Sequence, residues 1–258
     1  MSWEFNFEGK TAISTGAASG MGLLFAQNFA ELGGNVVLCD VNESVLKEKV
    51  EEINAKDKGK AIGVVCDVRN YKQICNARDK AVETFGTIDV MANFAGGTAR
   101  RMLNVGWSDE FPDVPIEVFD WGLDVNLKGP FYFAHAVLSQ MRKQNGGLII
   151  NIGSITGAEG DGVGVDYPTA KAGLMYGLTK SLAQYGAKYG IRAVCVSPGP
   201  VLTRAAMANM KTLLGRAAEP QEIIDLCLFL ASEKGQFING ENIMIDGGRN
   251  AMGRKMPE

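Results

Sequence analysis

Tyr167 and Lys171 stand four residues apart in Asp166-Tyr167-Pro168-Thr169-Ala170-Lys171, at the head of a long apolar segment. Residues at i and i+4 share one face of a helix. An ammonium held beside a phenol favours the phenolate and lowers a pKa that is about 10 in a free side chain. Tyr167 is therefore expected to act as an acid and base near neutral pH. A pair with this spacing also arises readily by chance, as an ordinary exposed tyrosine and lysine. Its meaning depends on what the rest of the chain brings to it.

A second signal lies near the start, in Thr15-Gly16-Ala17-Ala18-Ser19-Gly20-Met21-Gly22. Gly16 suits a tight turn, Gly20 lets the backbone approach a pyrophosphate, and Gly22 lets a helix pack closely on a strand. Ser19 and Met21 complete the turn. The free N–H groups of a helix start attract phosphate. Asp40 ends the next apolar run, 24 residues after Gly16. An acid there hydrogen-bonds the adenosine ribose and repels the 2′-phosphate of NADP. No Arg or Lys lies in the turn or directly after Asp40, where Val41 stands, so the expected cofactor is NAD.

These residues need elements to hold them. Short apolar runs at 10–15, 35–39, 61–66, 88–92, 148–152, 192–196 and 242–245 read as strands. Helical patterns lie between them, at 22–32, from a cap at Asn42 or Ser44 to 55, at 71–85 closed by Gly86, at 118–144, 167–189 and 220–232. Gly129-Pro130 implies a bend within 118–144, and 96–115 reads as irregular. Strict alternation predicts an α/β fold, a doubly wound parallel sheet with right-handed crossovers. Continuous apolar strands fit helices on both faces. With no repeat or linker, 1–258 reads as a single domain, ending in a polar, mobile tail at 249–258.

Composition excludes several functions. A formal charge of −3 and a pI near 5.4 argue against a nucleic-acid surface. One histidine, His135, and five scattered cysteines without a C-x-x-C make no metal site; the thiols read as reduced core residues. His135 reads as a core or subunit-contact residue. No basic stretch precedes an apolar run at Met1-Ser2-Trp3-Glu4, and no run is long enough to span a membrane, so a cytoplasmic protein is expected.

Taken together, the chain resembles the short-chain dehydrogenase/reductase family. The resemblance covers residues 7–248. It is carried in order by the glycine turn, Asp67-Val68, Asn93-Phe94-Ala95-Gly96, Asn126, Ser154, Tyr167, Lys171, Pro198-Gly199 and Ile245-Asp246-Gly247-Gly248. It implies a seven-stranded Rossmann sheet and hydride transfer between a nicotinamide and an alcohol/ketone pair. By position, it makes Tyr167 the general acid/base and Ser154 the donor to the substrate oxygen. Lys171 would hold the nicotinamide ribose and lower the tyrosine pKa, and Asn126 would support a water-linked relay to Lys171. Asp67 and Val68 are expected at the adenine, and Asn93, Ala95 and Gly96 along the cofactor. Val201 and Thr203, after Pro198-Gly199-Pro200, are expected at the carboxamide and phosphate. The family also implies a homotetramer or dimer built on long helices, here the one carrying Leu174, Met175, Leu178 and Leu182 beside Gly173 and Gly177. The chemistry is consistent: an alcohol losing hydride must give up a proton to a nearby base, and the developing alkoxide needs donors.

Three departures stand out. Phe94 replaces the second Asn of the family's usual N-N-A-G and is expected to adjust packing near the adenosine. Asn93 to Asn126 spans 33 positions, several more than usual, the extra residues lying at 100–115 with Trp107, Phe111, Asp109, Glu110 and Asp113. After Pro198 only about 204–214 remains for a substrate lid. The longer loop is expected to cover part of the pocket, surface decoration being the equal alternative. The small segment 157–164, with Glu159 and Asp161, suits a sugar or polyol; Arg100, Arg101 and Arg204 are expected to be solvated, contact with an anionic group being the alternative. A 3-oxoacyl thioester reductase or hydroxysteroid dehydrogenase is the alternative. A non-catalytic NAD-binding regulatory protein is a further reading, weakened because the whole catalytic set is present. An enoyl reductase of related fold would space its Tyr and Lys more widely.

Overall fold

The apolar runs become β1 (Thr11–Thr15), β2 (Asn35–Asp40), β3 (Ala61–Val65), β4 (Val90–Asn93), β5 (Gly147–Ile152), β6 (Ile191–Pro198) and β7 (Asn242–Ile245). In the computed structural model, which describes residues 5–252, all seven pair in parallel in the order β3-β2-β1-β4-β5-β6-β7. The order reverses between β1 and β4, which opens a crevice beyond the strand ends there. Residues 1–4, read for a leader, and 253–258 of the expected tail lie outside the described residues.

Among the described residues ten helices connect and flank the strands: α1 (Gly20–Glu31), α2 (Glu43–Asn54), α3 (Tyr71–Phe85), α4 (Ala99–Met102), α5 (Ile116–Leu123), α6 (Gly129–Lys143), α7 (Thr156–Glu159), α8 (Asp166–Ala172), α9 (Thr179–Gly186) and α10 (Pro220–Ala231). Alternate strand residues face opposite ways. Val36 and Leu38 pack with Phe25, Phe29, Ile224 and Leu228 of α1 and α10. Val37 and Cys39 pack with Ile74, Phe133 and Val137 of α3 and α6. Both faces are covered, which is why the strands are apolar throughout. Asn42 caps α2, its Oδ1 accepting from the Val45 N–H at 3.3 Å and from the Ser44 hydroxyl at 3.0 Å.

Some expectations are corrected. The segment 96–115 is not wholly irregular: it contains α4 and a 3-10 turn at Phe111–Asp113. The long helix across 118–144 is interrupted before Gly129-Pro130 by a π-turn at Asp124–Lys128, in which the Gly129 N–H bonds the Asp124 carbonyl five residues back. Pro130 has no N–H to offer the Asn126 carbonyl, so an unbroken α ladder is impossible there. A second π-turn, Gly173–Leu178, separates α8 from α9. His135 is no core residue: it is exposed on α6, its Nδ1 2.5 Å from the Tyr71 hydroxyl. The presumed tail begins with a 3-10 turn at Arg249–Ala251. Cys39, Cys66, Cys195 and Cys227 are buried free thiols and Cys75 is half-buried.

Candidate active site

Lys171, Tyr167 and Asn126 come together beyond the carboxyl ends of β4 and β5, with Ser154 two residues past the end of β5. Lys171, on α8, is 4% exposed and donates from Nζ to the Ile152 carbonyl at 2.7 Å, which ties α8 to the end of β5. The same ammonium lies over the Tyr167 ring, 5.5 Å from its centroid. A Cβ at Gly96 would stand 2.7 Å from Asn126 Oδ1 and 3.4 Å from Lys171 Nζ. Gly96 is therefore the bare strip of backbone that lets Asn126 and Lys171 approach each other. Ser154 stands two residues beyond Ile152. Its Oγ accepts from the Thr156 hydroxyl at 2.9 Å and the Thr156 N–H at 3.2 Å. With both lone pairs engaged, its own proton is left to donate.

Asn126 is buried in the π-turn. Its Nδ2 donates to the carbonyls of Gly97 and Gly122, both at 2.9 Å, and its Oδ1 accepts from the Gly97 N–H at 3.0 Å. Both amide hydrogens are thus bound to backbone, and the side chain clamps the turn after β4. Asn93 is also buried, and donates to Asn151 at 2.9 Å; Asn151 donates to the Thr179 hydroxyl at 3.0 Å. This places the Asn93 side chain in a buried polar chain linking β4, β5 and α9.

The glycine turn is built to admit an anion. Gly16 and Gly20 have φ of 63° and 57°, where a side chain is strained. A Cβ at Gly22 would stand 2.6 Å from the carbonyls of Thr15 and Gly16, so only glycine lets α1 approach β1. Ser19 and Gly20 are exposed, Met21 packs partly into the core, and the first turn of α1 carries no acid. The Thr15 hydroxyl accepts from the Ala95 N–H at 3.0 Å, joining the turn to the end of β4. Asp40 Oδ2 accepts from the Ala18 N–H at 3.1 Å, so its carboxylate reaches across the turn. These features fit the phosphates and ribose of a dinucleotide.

The outlying positions behave differently. The Arg69 guanidinium beside Asp67 holds its carboxyl below the usual range, through two close contacts of 2.6 Å and 3.0 Å. The side chains of Val68 and Val201 are buried, the former against Gly129. Gly199 touches Asp246, its N–H bonding the Ile245 carbonyl at 3.0 Å, and Pro198 pairs with Ile245. Thr203 is exposed just beyond. Phe94 packs on Phe25 of α1 in a tilted pair, with centroids 5.4 Å apart.

The extra loop and the site are connected. Arg100 is 2% exposed and its guanidinium bonds the carbonyls of Gly106 and Asp109, stapling the loop to itself. Trp107 comes within 3.9 Å of a Cβ placed at Gly164, three residues before Tyr167. Asp166 is buried against Gly122, its Oδ2 without a hydrogen bond. Burial pushes its carboxyl up, and the Arg100 charge opposes that rise. On the other side, Arg249 grips Glu159 through three contacts of 2.9 to 3.2 Å and bonds the Lys211 carbonyl at 3.3 Å. Arg100 was expected in solvent, and Arg249 in a mobile tail; both instead hold loops beside the site. Sequence reasoning also missed Thr156, Asn151 and Asp166. The only signal for Asn151 was one amide inside an apolar strand.

The family model described as Enoyl-(Acyl carrier protein) reductase matches residues 16–250. The chain is 38% identical over 251 residues to the trans-4-hydroxycyclohexanecarboxylate dehydrogenase of Sinomonas cyclohexanicum, covering 94% of this chain and 93% of that one.

The chain belongs to the short-chain dehydrogenase/reductase family.

This short-chain dehydrogenase/reductase is also 33% identical over 259 residues to the 7alpha-hydroxysteroid dehydrogenase of Bacteroides fragilis, with 94% and 95% of the two chains covered. A crystal structure of a 3-oxoacyl-[acyl-carrier protein] reductase with bound NAD from Brucella melitensis superposes with a TM-score of 0.86 at 28% identity, over 94% of this chain and 92% of that chain. As a member of the family it is an oxidoreductase with a nicotinamide cofactor. No helix among the described residues is long and apolar enough to cross a membrane.

Proposed function

We propose that this chain interconverts a polar secondary alcohol and its ketone, using NAD(H). The observation that carries the reading is the position of Lys171 Nζ, between the Tyr167 ring, the Ile152 carbonyl and Gly96. Tyr167 takes the carbinol proton in oxidation and returns it in reduction. Ser154, its acceptor sites filled by Thr156, donates to the substrate oxygen as charge develops there. Lys171 supplies a fixed positive charge beside the phenol. Asn126 keeps Gly97 in place, beside Gly96, a positioning role for the amide side chain. The nicotinamide, when bound, supplies the hydride chemistry.

Asp40 supports NAD over NADP: a carboxylate across the turn repels a 2′-phosphate, and exposed Val41 follows it. The residues proposed to meet the cofactor are Gly16, Ser19, Gly20, Met21, Gly22, Asp40, Ala95, Gly96, Pro198, Gly199 and Thr203, with Tyr167 and Lys171 at its nicotinamide end. Asp67, Val68, Asn93 and Val201 contribute through their backbone, because their side chains are engaged elsewhere. The insertion at 100–115 walls the substrate pocket, as the reach of Trp107 to Gly164 supports.

A sugar or polyol was expected from Glu159 and Asp161. Glu159 is gripped by Arg249, and Asp161 accepts from the Val163 N–H at 2.9 Å, so that argument loses its force. The relative from Sinomonas is named for a hydroxy acid, which fits a polar secondary alcohol. The protein is proposed to work as a homotetramer in the cytoplasm. The test is a screen of sugars, polyols, hydroxy acids, steroids and acyl thioesters with NAD and with NADP. Turnover is expected with NAD ahead of NADP in kcat/KM, and Tyr167→Phe should lower kcat roughly 10²–10⁴-fold while NAD still binds. Near-normal turnover by that variant, or an NADP preference, would contradict the reading.

A further inference from the structure

We infer that Arg249 is a positioning residue for the reaction: from the turn at Arg249–Ala251 it locks the short helix α7, and through α7 the donor Ser154, to the lid at Lys211. The inference rests on the reaction proposed above and adds a residue to its machinery.

Ser154 depends on α7 for its orientation. Its Oγ accepts from the hydroxyl and the N–H of Thr156, the first residue of that helix. The same helix lies against the backbone that carries Lys171: a Cβ at Gly157 would stand 3.0 Å from the Ala172 nitrogen and 3.1 Å from the Lys171 carbonyl carbon. Yet α7 has only 4 residues, a single turn, and stops at Gly160, where φ is 76°. A helix so short does not hold itself in place. Its far end is held from outside. Glu159 accepts from Arg249 Nε at 2.9 and 3.2 Å and from Arg249 Nη2 at 3.0 Å. A planar fork that meets a carboxylate with two N–H groups fixes direction as well as distance.

Arg249 is itself seated on firm backbone. Asp246, 8% exposed, accepts from the Gly248 N–H at 2.9 Å and from the Asn250 N–H at 2.6 Å, which shapes the turn. The turn rests on the end of β6, since a Cβ at Gly199 would stand 2.7 Å from the Asp246 Cα. It also holds the lid. The Leu214 N–H bonds the Gly247 carbonyl at 3.1 Å, and Arg249 Nη1 donates to the Lys211 carbonyl at 3.3 Å. One guanidinium therefore spans from the lid to the helix that orients Ser154. With α7 fixed, Ser154 and Tyr167 keep one spacing around the substrate oxygen. A misplacement of about 1 Å at such a group costs up to ~10²-fold in rate.

The test is Arg249→Met in the full chain with NAD bound, read first by amide hydrogen exchange. The Gly160 N–H, bonded to the Thr156 carbonyl, and the Leu214 N–H should both exchange roughly tenfold faster than in wild type. The Ala17 and Ala95 amides, on the dinucleotide side, should keep their rates, and NAD affinity should be unchanged. With whichever alcohol of the screen turns over fastest, kcat should fall roughly tenfold. Arg249→Lys should recover part of that loss, and Glu159→Gln should reproduce it. In a Ser154→Ala background Arg249→Met should change kcat by less than about twofold, because its effect passes through Ser154. Unchanged exchange at Gly160, an equal loss of kcat in both backgrounds, or weakened NAD binding would overturn the proposal. Faster exchange with no alcohol turned over by wild type, or a normal kcat in Ser154→Ala, would overturn the reaction proposed above while upholding the lock between α7 and the lid.

Discussion

Ser154 can donate to a substrate because Thr156 has filled its acceptor sites. A neutral hydrogen bond of this kind is worth about 1 kcal/mol, or a factor of about five in rate. Thr156→Val should lower kcat by about that factor with little change in melting temperature; an unchanged kcat would show that Ser154 needs no such partner. Asp166 behaves in the opposite way. Burial raises its carboxyl above the ordinary 3.8, so the folded chain binds that proton more tightly than the unfolded chain. Stability from this group is greatest in acid and is lost as pH rises from about 4 through the folded-state value. In Asp166→Asn the melting temperature should therefore gain on wild type from pH 4 towards pH 8, as read by calorimetry. A constant difference across that range would mean that Asp166 does not titrate as argued. Tyr167, Lys171 and Ser154 were legible because their types carry chemistry, the first two spaced i and i+4 on a helix and the third just past the end of β5. Thr156 and Asp166 were not: a threonine two places after a serine looks like any turn, and an acid before a tyrosine looks like a surface residue. Only packing reveals their partners.

Elements were legible wherever the apolar period was unbroken. All seven strands lie close to their expected places, and Asn42 and Gly86 end their helices as their chemistry demands. What periodicity could not show is a π-turn, because one extra residue in a helix leaves no compositional mark. Pro130 signalled a disturbance, but the turn it accompanies lies upstream and carries Asn126 inward. The insertion was legible as extra length, and its anchoring was not. The contact of α5, which follows the insertion, with α8 gives a test at this scale. A Cβ on Gly122 of α5 would stand 2.0 Å from Asp166 Oδ2, so Gly122→Ala must displace α8 or α5. The expected cost is about 1–3 kcal/mol, a fall of several degrees in melting temperature, together with a lower kcat. Gly146→Ala, with nothing within 4 Å of its Cβ and no positive φ, is the control and should leave both unchanged. Equal behaviour of the two variants would contradict the packing argument.

At the scale of the whole molecule, the sheet and its covered faces followed from alternation alone, whereas assembly depends on what remains outside. Phe131, Tyr176 and Tyr185 are 51%, 49% and 44% exposed, on α6 and along the run from the second π-turn into α9. Gly177 beside Tyr176 leaves open space where a partner helix can approach. Light scattering at micromolar concentration is expected to give four times the 27.7 kDa chain mass; a value of one chain would contradict the tetramer. The turn at Arg249–Ala251 has a different consequence. Arg249 joins Glu159 of α7 to the carbonyl of Lys211 in the lid. A substitution that frees Arg249 would therefore loosen both loops of the proposed substrate side at once. Exchange of lids between relatives would likewise succeed only if the closing turn travels with the lid, since the two form one transplantable piece.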